Sequence, residues 1–169
     1  MAVVLSAASV AWFGWGHQGG EAIAWLRWGM VVAVVLLIVS IIVLVRIRAV
    51  PTLATDAHAR KVYWIAVAAE VVLIVGGAVA LALTGYSQYL STWTLFIVGI
   101  HFLPFVSAFN APLLRPTALA CAVVAGLALW AGLGGWAPAP TIAGAGGGLV
   151  LLVFAALLLR TATRQNRAE

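Results

Sequence analysis

The sequence predicts an all-α fold, a polytopic transmembrane helix bundle of six spans. Of the 169 residues, 65% are hydrophobic and only 8% are charged, whereas soluble domains carry about 25% charged residues. A soluble chain with so few charges would lack the polar surface that keeps proteins dispersed. In addition, short polar turns divide the sequence into apolar runs, most of which approach the roughly 20 residues that a spanning helix needs.

Six apolar runs are the candidate spans, and together they make residues 1–169 a single transmembrane domain. Helices are expected because hydrocarbon leaves open backbone groups without partners, and because the runs lack the alternation of barrel strands. The predicted spans are Ala2–Trp15, Ala22–Val45, Val62–Thr84, Thr92–Phe109, Thr117–Leu133 and Ile142–Leu159.

The first run is the shortest. Ala2–Trp15 would cover about 21 Å of helical rise, which is less than the ~30 Å of the hydrocarbon core. The alternative is therefore five spans plus a short interfacial or re-entrant N-terminal helix. We favour six spans, with Trp12 and Trp15 at an interfacial aromatic belt.

The net charge of +5 is interpreted as a topology signal, and no nucleic-acid partner is expected because no basic run with interleaved aromatics occurs. Lys and Arg fall on alternate connections and on the tail, which predicts that both termini are cytoplasmic in a cell membrane, such as a bacterial inner membrane. Arg27, between Trp25 and Trp28, is expected to snorkel at the opposite boundary. The clustered cations are Arg46, Arg48, Arg60, Lys61, Arg115, Arg160, Arg164 and Arg167.

Glu70 is the residue most indicative of function. It is embedded in the third run, where an ionised side chain costs about 2.5–3.5 kcal/mol on insertion scales. A lone acid there is either protonated or paired, and it faces protein or water. His101 in the fourth run is the predicted partner, because an antiparallel neighbour would bring it to the same depth, ~12 Å from the cytoplasmic side.

Three further residues are candidates for the same polar site. Pro104 removes a helical hydrogen bond from the turn around His101, although a kink made only for packing is an equal alternative. Tyr63 and Thr94 lie seven residues before Glu70 and His101, respectively, and therefore on the same helical faces. We predict that these residues bind substrate or protons.

Small residues at i+4 spacing predict close helix packing. Gly144 and Gly148 form a GxxxG pattern in the last run, and Ala118, Ala122 and Gly126 repeat in the fifth. Packing within the chain is the simpler interpretation, and a subunit interface in a homo-oligomer or larger membrane complex is the alternative. Membrane lipid is the other expected partner.

The segment Gly99-Ile100-His101-Phe102-Leu103-Pro104, preceded by a helix with Glu70, resembles a motif of small bacterial multi-span membrane proteins of uncharacterised function. The resemblance covers the third and fourth runs. It implies no activity, and it marks Glu70, His101 and Pro104 as positions of interest.

No cofactor or metal is expected. Cys121 is the only cysteine, and the three histidines fall in three different layers of the predicted topology. The leading hypothesis is a proton-linked transporter or permease-like protein that uses Glu70 and His101. The alternatives are an accessory or structural subunit in which the pair only bridges helices, and, less favoured, a membrane enzyme, because the loops lack clustered catalytic groups.

The topology is tested by cysteine labelling in a Cys121→Ala background. We expect Asp56→Cys and Arg164→Cys to react with a membrane-impermeant maleimide only after the cells are opened, because both positions belong to the positively charged side. Labelling of either position in intact cells would contradict the predicted orientation.

Overall fold

The computed structural model describes residues 1–19, 24–47 and 56–168, and every element in these ranges is helical. The predicted all-α class is thus confirmed. Short 3₁₀ turns at His17–Gly19 and Ser87–Tyr89 precede α2 and α4. The helices are α1 (Ala2–Gly16), α2 (Ala24–Ile47), α3 (Ala57–Leu83), α4 (Leu90–Ala108), α5 (Leu114–Leu133) and α6 (Ala139–Ala168).

Five of these helices, α2 to α6, are long and apolar enough to cross a membrane. The chain is therefore a small multi-pass helical membrane protein. Helix α1 has 15 residues and is shorter than the others, so both five and six spans fit the described helices. One face of α1 is packed against the bundle, because Leu5, Trp12 and Phe13 are almost fully buried, whereas Val4 on the other face is 59% exposed.

Helix α3 begins five residues earlier than the apolar pattern predicted, at Ala57 rather than Val62. The Asp56 carboxylate accepts hydrogen bonds from the backbone N–H groups of His58 at 2.8 Å and Ala59 at 3.1 Å. This N-cap satisfies donors that the first helical turn leaves open. The polar residues Arg60 and Lys61 consequently lie on the first turns of α3 instead of in a loop.

Other boundaries also move outward from the apolar runs. Helix α5 begins at Leu114 and α6 extends from Ala139 to Ala168, because a helix need not end where its apolar segment ends. Ala22 and Arg48, which belonged to the predicted second span and connection, lie outside the described residues.

Helices that are consecutive in the chain run antiparallel. Ser6 and Phe13 of α1 meet Ser40 and Gly29 of α2 in reverse order, and the connections from α3 to α6 are short. The starts of α1, α3 and α5 therefore share one end of the bundle with the ends of α2, α4 and α6. Helix α6 contacts α1, α2, α4 and α5, whereas α3 packs mainly against α4.

This arrangement gives the bundle two chemically different ends. We call one the basic end, defined by Arg46, Arg60, Lys61, Arg115 and Arg160. We call the other the aromatic end, defined by Trp15, Trp25, Trp28, Trp93, Trp130 and Trp136. Tryptophan is enriched at membrane–water interfaces, so the aromatic end has the composition expected where the helices leave the membrane.

The glycines of α6 hold α1 close. A Cβ at Gly144 would overlap the backbone of Gly16 and Trp12, and a Cβ at Gly148 would lie 2.9 Å from the Phe13 ring. The Ser9 hydroxyl also donates a 2.7 Å hydrogen bond to the Gly148 carbonyl oxygen. Small residues thus allow α1 and α6 to approach backbone to backbone, within one chain.

The small residues of α5 face α4 only in part. A Cβ at Gly99 of α4 would lie 3.1 Å from the Ala118 oxygen and 3.6 Å from the Ala122 nitrogen. Gly126, predicted to continue this row, is exposed, and a Cβ there would meet nothing within 4 Å. Successive i+4 steps rotate about 40° around a helix, so the row leaves the contact, and buried Ala125 continues it.

Candidate functional site

Helix α3 meets α4 through a narrow stripe. Only Ala59 and Ala66 of its 27 residues are buried, and many of its large apolar side chains, such as Ile65 and Val72, point outward. Glu70 lies midway along α3, about 20 Å from either end by helical rise. This depth places the carboxyl group near the centre of the apolar segment.

Glu70 and His101 are in contact. Nδ1 of His101 lies 3.3 Å from Oε2 of Glu70, and the side chains are 10% and 21% exposed for His101 and Glu70, respectively. The same nitrogen lies 3.3 Å from the backbone carbonyl oxygen of Ala66, one turn before Glu70 on α3. The antiparallel packing of α3 and α4 therefore brings the two ionisable groups to the same depth.

The geometry at Nδ1 selects one tautomer. A carbonyl oxygen can only accept, so the hydrogen bond to Ala66 requires that Nδ1 carry a hydrogen. The same N–H then points toward two acceptors, the Ala66 carbonyl and the Glu70 carboxyl. The second ring nitrogen, Nε2, is left as the position that gains or loses a proton when the imidazole changes charge.

Aromatic rings surround the imidazole on the side of the basic end. The Phe105 ring meets the His101 ring edge to face, with centroids 4.5 Å apart. Tyr63 stacks on the same Phe105 ring at 5.7 Å. Tyr63 is thus linked to His101 through Phe105, and it lies two helical turns, about 10.5 Å, from Glu70.

Thr94 and Pro104 are not brought against the pair. The Thr94 hydroxyl donates a 2.8 Å hydrogen bond to the Leu90 carbonyl in its own helix, about 10.5 Å by helical rise from His101. Pro104 is exposed and lies inside α4, which continues through it to Ala108. Its carbonyl accepts a 3.3 Å hydrogen bond from the Ser107 hydroxyl.

A second polar attachment between α3 and α4 was not predicted from the sequence. Trp93 Nε1 donates a 2.9 Å hydrogen bond to the Leu73 carbonyl oxygen of α3, and its indole occupies the space that a Cβ on Gly77 would fill. The sequence feature that could have indicated this contact is the Gly76-Gly77 dipeptide in one span followed by Trp93 in the next. Trp93 lies about two turns from His101, on the side of the aromatic end.

The other two histidines lie away from this site. His17 follows α1, where its Nδ1 lies 2.9 Å from the Phe13 carbonyl oxygen. His58 is exposed in the first turn of α3, close to the Asp56 cap. Within the described ranges, no three His, Cys, Asp or Glu side chains are close enough together to hold a metal ion.

The chain matches no protein-family model, no curated protein and no solved structure. The resemblance of Gly99–Pro104 to small bacterial multi-span proteins therefore stays an expectation. The interpretation of the site depends on its own geometry.

Two adjacent glycines test the attachment of α3. Gly77→Ala should lower the melting temperature in mild detergent, because the added methyl group overlaps the Trp93 ring and overpacking costs about 1–3 kcal/mol. Gly76→Ala is the matched control, since a Cβ there meets nothing within 4 Å and alanine favours helix. Equal melting temperatures for the two variants would contradict the described packing.

Proposed function

We propose that this membrane protein is a proton-linked transporter or permease-like protein, and that Glu70 and His101 form its protonatable site. The observation that supports this proposal is the 3.3 Å contact between His101 Nδ1 and Glu70 Oε2, midway along α3. Ionisable side chains inside a membrane are costly, and they commonly mark proton relays or ion pathways.

The pair offers two places for a proton. With Nδ1–H engaged by Ala66 and Glu70, the imidazole accepts a proton at Nε2 without breaking either contact, and the resulting cation lies beside the carboxylate. The carboxyl group of Glu70 is the second place. The pair thus has one group that can accept a proton and one that can release it, which suits a site that moves protons.

Partial exposure of the acid supports access to the site. The Glu70 side chain is 21% exposed, compared with 10% for His101, so the acid is less enclosed by the protein than its partner. An acid at this depth must be paired, protonated or in contact with water, so we infer that protons reach the pair through the exposed part of the Glu70 side chain.

A second candidate is an accessory subunit in which the pair only bridges helices. The hydrogen bond from His101 Nδ1 to the Ala66 carbonyl favours it, because this bond joins α3 to α4 whatever the protonation of Glu70. In this case the contact supplies stability and no proton movement.

The orientation and assembly of the protein belong to the same proposal. We place the basic end in the cytoplasm, since Lys and Arg are retained on that side, with both termini there. A homo-oligomer or a larger membrane complex is the assembly through which the outward faces of α2 and α3 would be covered.

Glu70→Gln separates the two candidates. The assay uses liposomes that contain a trapped pH-sensitive dye and are driven by a potassium diffusion potential. The wild-type protein should pass protons, and Glu70→Gln should not, because a side-chain amide does not take up and release protons. The melting temperature should change little, since the amide oxygen still accepts from imidazole.

His101→Gln and Trp64→Ala complete this experiment. His101→Gln should abolish proton passage as well, whereas Trp64→Ala, an exposed position elsewhere on α3, should leave it intact. Proton passage that is absent in the wild type, or unchanged in Glu70→Gln, would overturn the transport proposal and leave the helix bridge as the role of the pair.

A further inference from the structure

A cavity opens at the aromatic end of the bundle, separate from the Glu70–His101 pair. It is an open cleft with a volume of about 470 Å³. It is formed by the turn after α1, the 3₁₀ turn before α4, and the connection between α5 and α6. Its larger lining residues are Gln18, Gln88, Tyr89, Trp136, Pro138 and Pro140.

The polar lining is neutral. Gln18 and Gln88 reach the cavity from two different turns, and both are exposed. Each amide presents a donor and an acceptor, and the Tyr89 hydroxyl can act as either. The described polar groups thus donate and accept hydrogen bonds, as the hydroxyls of a neutral ligand require.

The main apolar group of the lining is the Trp136 indole, which contacts Trp130 but remains largely exposed. Trp136 is 67% exposed. Its ring lies edge to face with Trp130 at a centroid distance of 4.2 Å, and a Cβ on Gly134 would be 3.1 Å from it. A fixed indole with an accessible apolar surface and a polar N–H suits a ligand that has both C–H and hydroxyl faces.

Close packing and two prolines shape the frame around the cavity. A Cβ at Gly132 would lie 2.9 Å from the Tyr89 ring, so these two elements are packed tightly together. Gly135 has a φ of +71°, a conformation that glycine adopts readily, and Pro138 and Pro140 fix the entry into α6.

Hydrogen-bonding capacity also remains unused near this end. Ser91, Thr92 and Thr141 are 2%, 6% and 9% exposed, and their hydroxyls have no partner among the described groups. They lie in the first turns of α4 and α6, next to Tyr89 and Pro140. Most buried polar groups in proteins are hydrogen-bonded; these three hydroxyls lie close to the cavity in the chain but do not line it.

We propose that this cavity binds a neutral polyhydroxylated group, namely a sugar ring. The hydroxyls of a sugar both donate and accept, as the two glutamine amides do, and its C–H face can lie against the Trp136 indole. The cavity lies at the aromatic end, where the helices leave the membrane. The sugar can therefore come either from the headgroup of a glycolipid or from solution.

The experiment uses the full chain purified in lauryldimethylamine oxide, a detergent without a sugar headgroup, and placed in phosphatidylcholine nanodiscs. One arm adds increasing fractions of monogalactosyldiacylglycerol to the nanodiscs, and the other adds free galactose. The melting temperature is followed in each arm, because a ligand that binds only the folded state raises it. The variants are Gln88→Leu, Gln18→Leu and Trp136→Ala, with the exposed Trp64→Ala as control.

A rise in melting temperature with either sugar source supports the site, and the arm that responds identifies the source. The concentration for half of the effect should increase about tenfold in Gln88→Leu, Gln18→Leu or Trp136→Ala and stay unchanged in Trp64→Ala. All three altered side chains are exposed, so the variants should fold like the parent. No rise in either arm, or a rise that all three variants retain, would overturn the proposal.

Discussion

The attachment of α3 to α4 is the contact on which the candidate site depends. In a bilayer, lipid tails are as apolar as leucine, so helices associate through close packing and interhelical hydrogen bonds. Helix α3 buries only Ala59 and Ala66, and it has little packing to offer. It is joined to α4 by two side chain–backbone hydrogen bonds, from His101 to Ala66 and from Trp93 to Leu73. Such bonds average about 0.6 kcal/mol in membranes, so each contributes modestly, and the His101–Glu70 contact adds a third polar link between the two helices.

The opposite side of the bundle is assembled by different means. Helices α1 and α6 meet through Gly16, Gly144 and Gly148, which let the two backbones approach closely, and the Ser9 hydroxyl adds one hydrogen bond to Gly148. This region has no ionisable side chain in its described contacts and depends on shape. The molecule thus combines a tightly packed part with a peripheral helix that is held by polar groups. A peripheral helix with few buried residues is the element whose position a change of protonation can alter most easily.

The sequence predicted the helical class and the facing of Glu70 and His101 because both follow from simple constraints. Apolar length marks the spans, and a short connection forces α3 and α4 to be antiparallel, which fixes depth. It did not predict the start of α3 at Ala57, because the Asp56 cap is a local hydrogen-bond effect that hydropathy does not register. Gly126 and Trp93 show the other limit. Which face of a helix meets its neighbour depends on rotation about the helix axis. The i+4 spacing predicted a packing contact for Gly126, but in the structure the adjacent Ala125 is buried instead.

The central claim is that Glu70 and His101 interact directly across the α3–α4 boundary, and a double-mutant cycle tests it most directly. The free energy of unfolding in bicelles would be measured for the wild-type protein, Glu70→Ala, His101→Ala and the double variant. Residues in contact are expected to show a coupling energy of about 0.5–3 kcal/mol, and we predict a value in this range. Because the bond from His101 to Ala66 is lost in both His101 variants, it cancels from the cycle. Single effects that add to within about 0.3 kcal/mol would contradict the direct interaction.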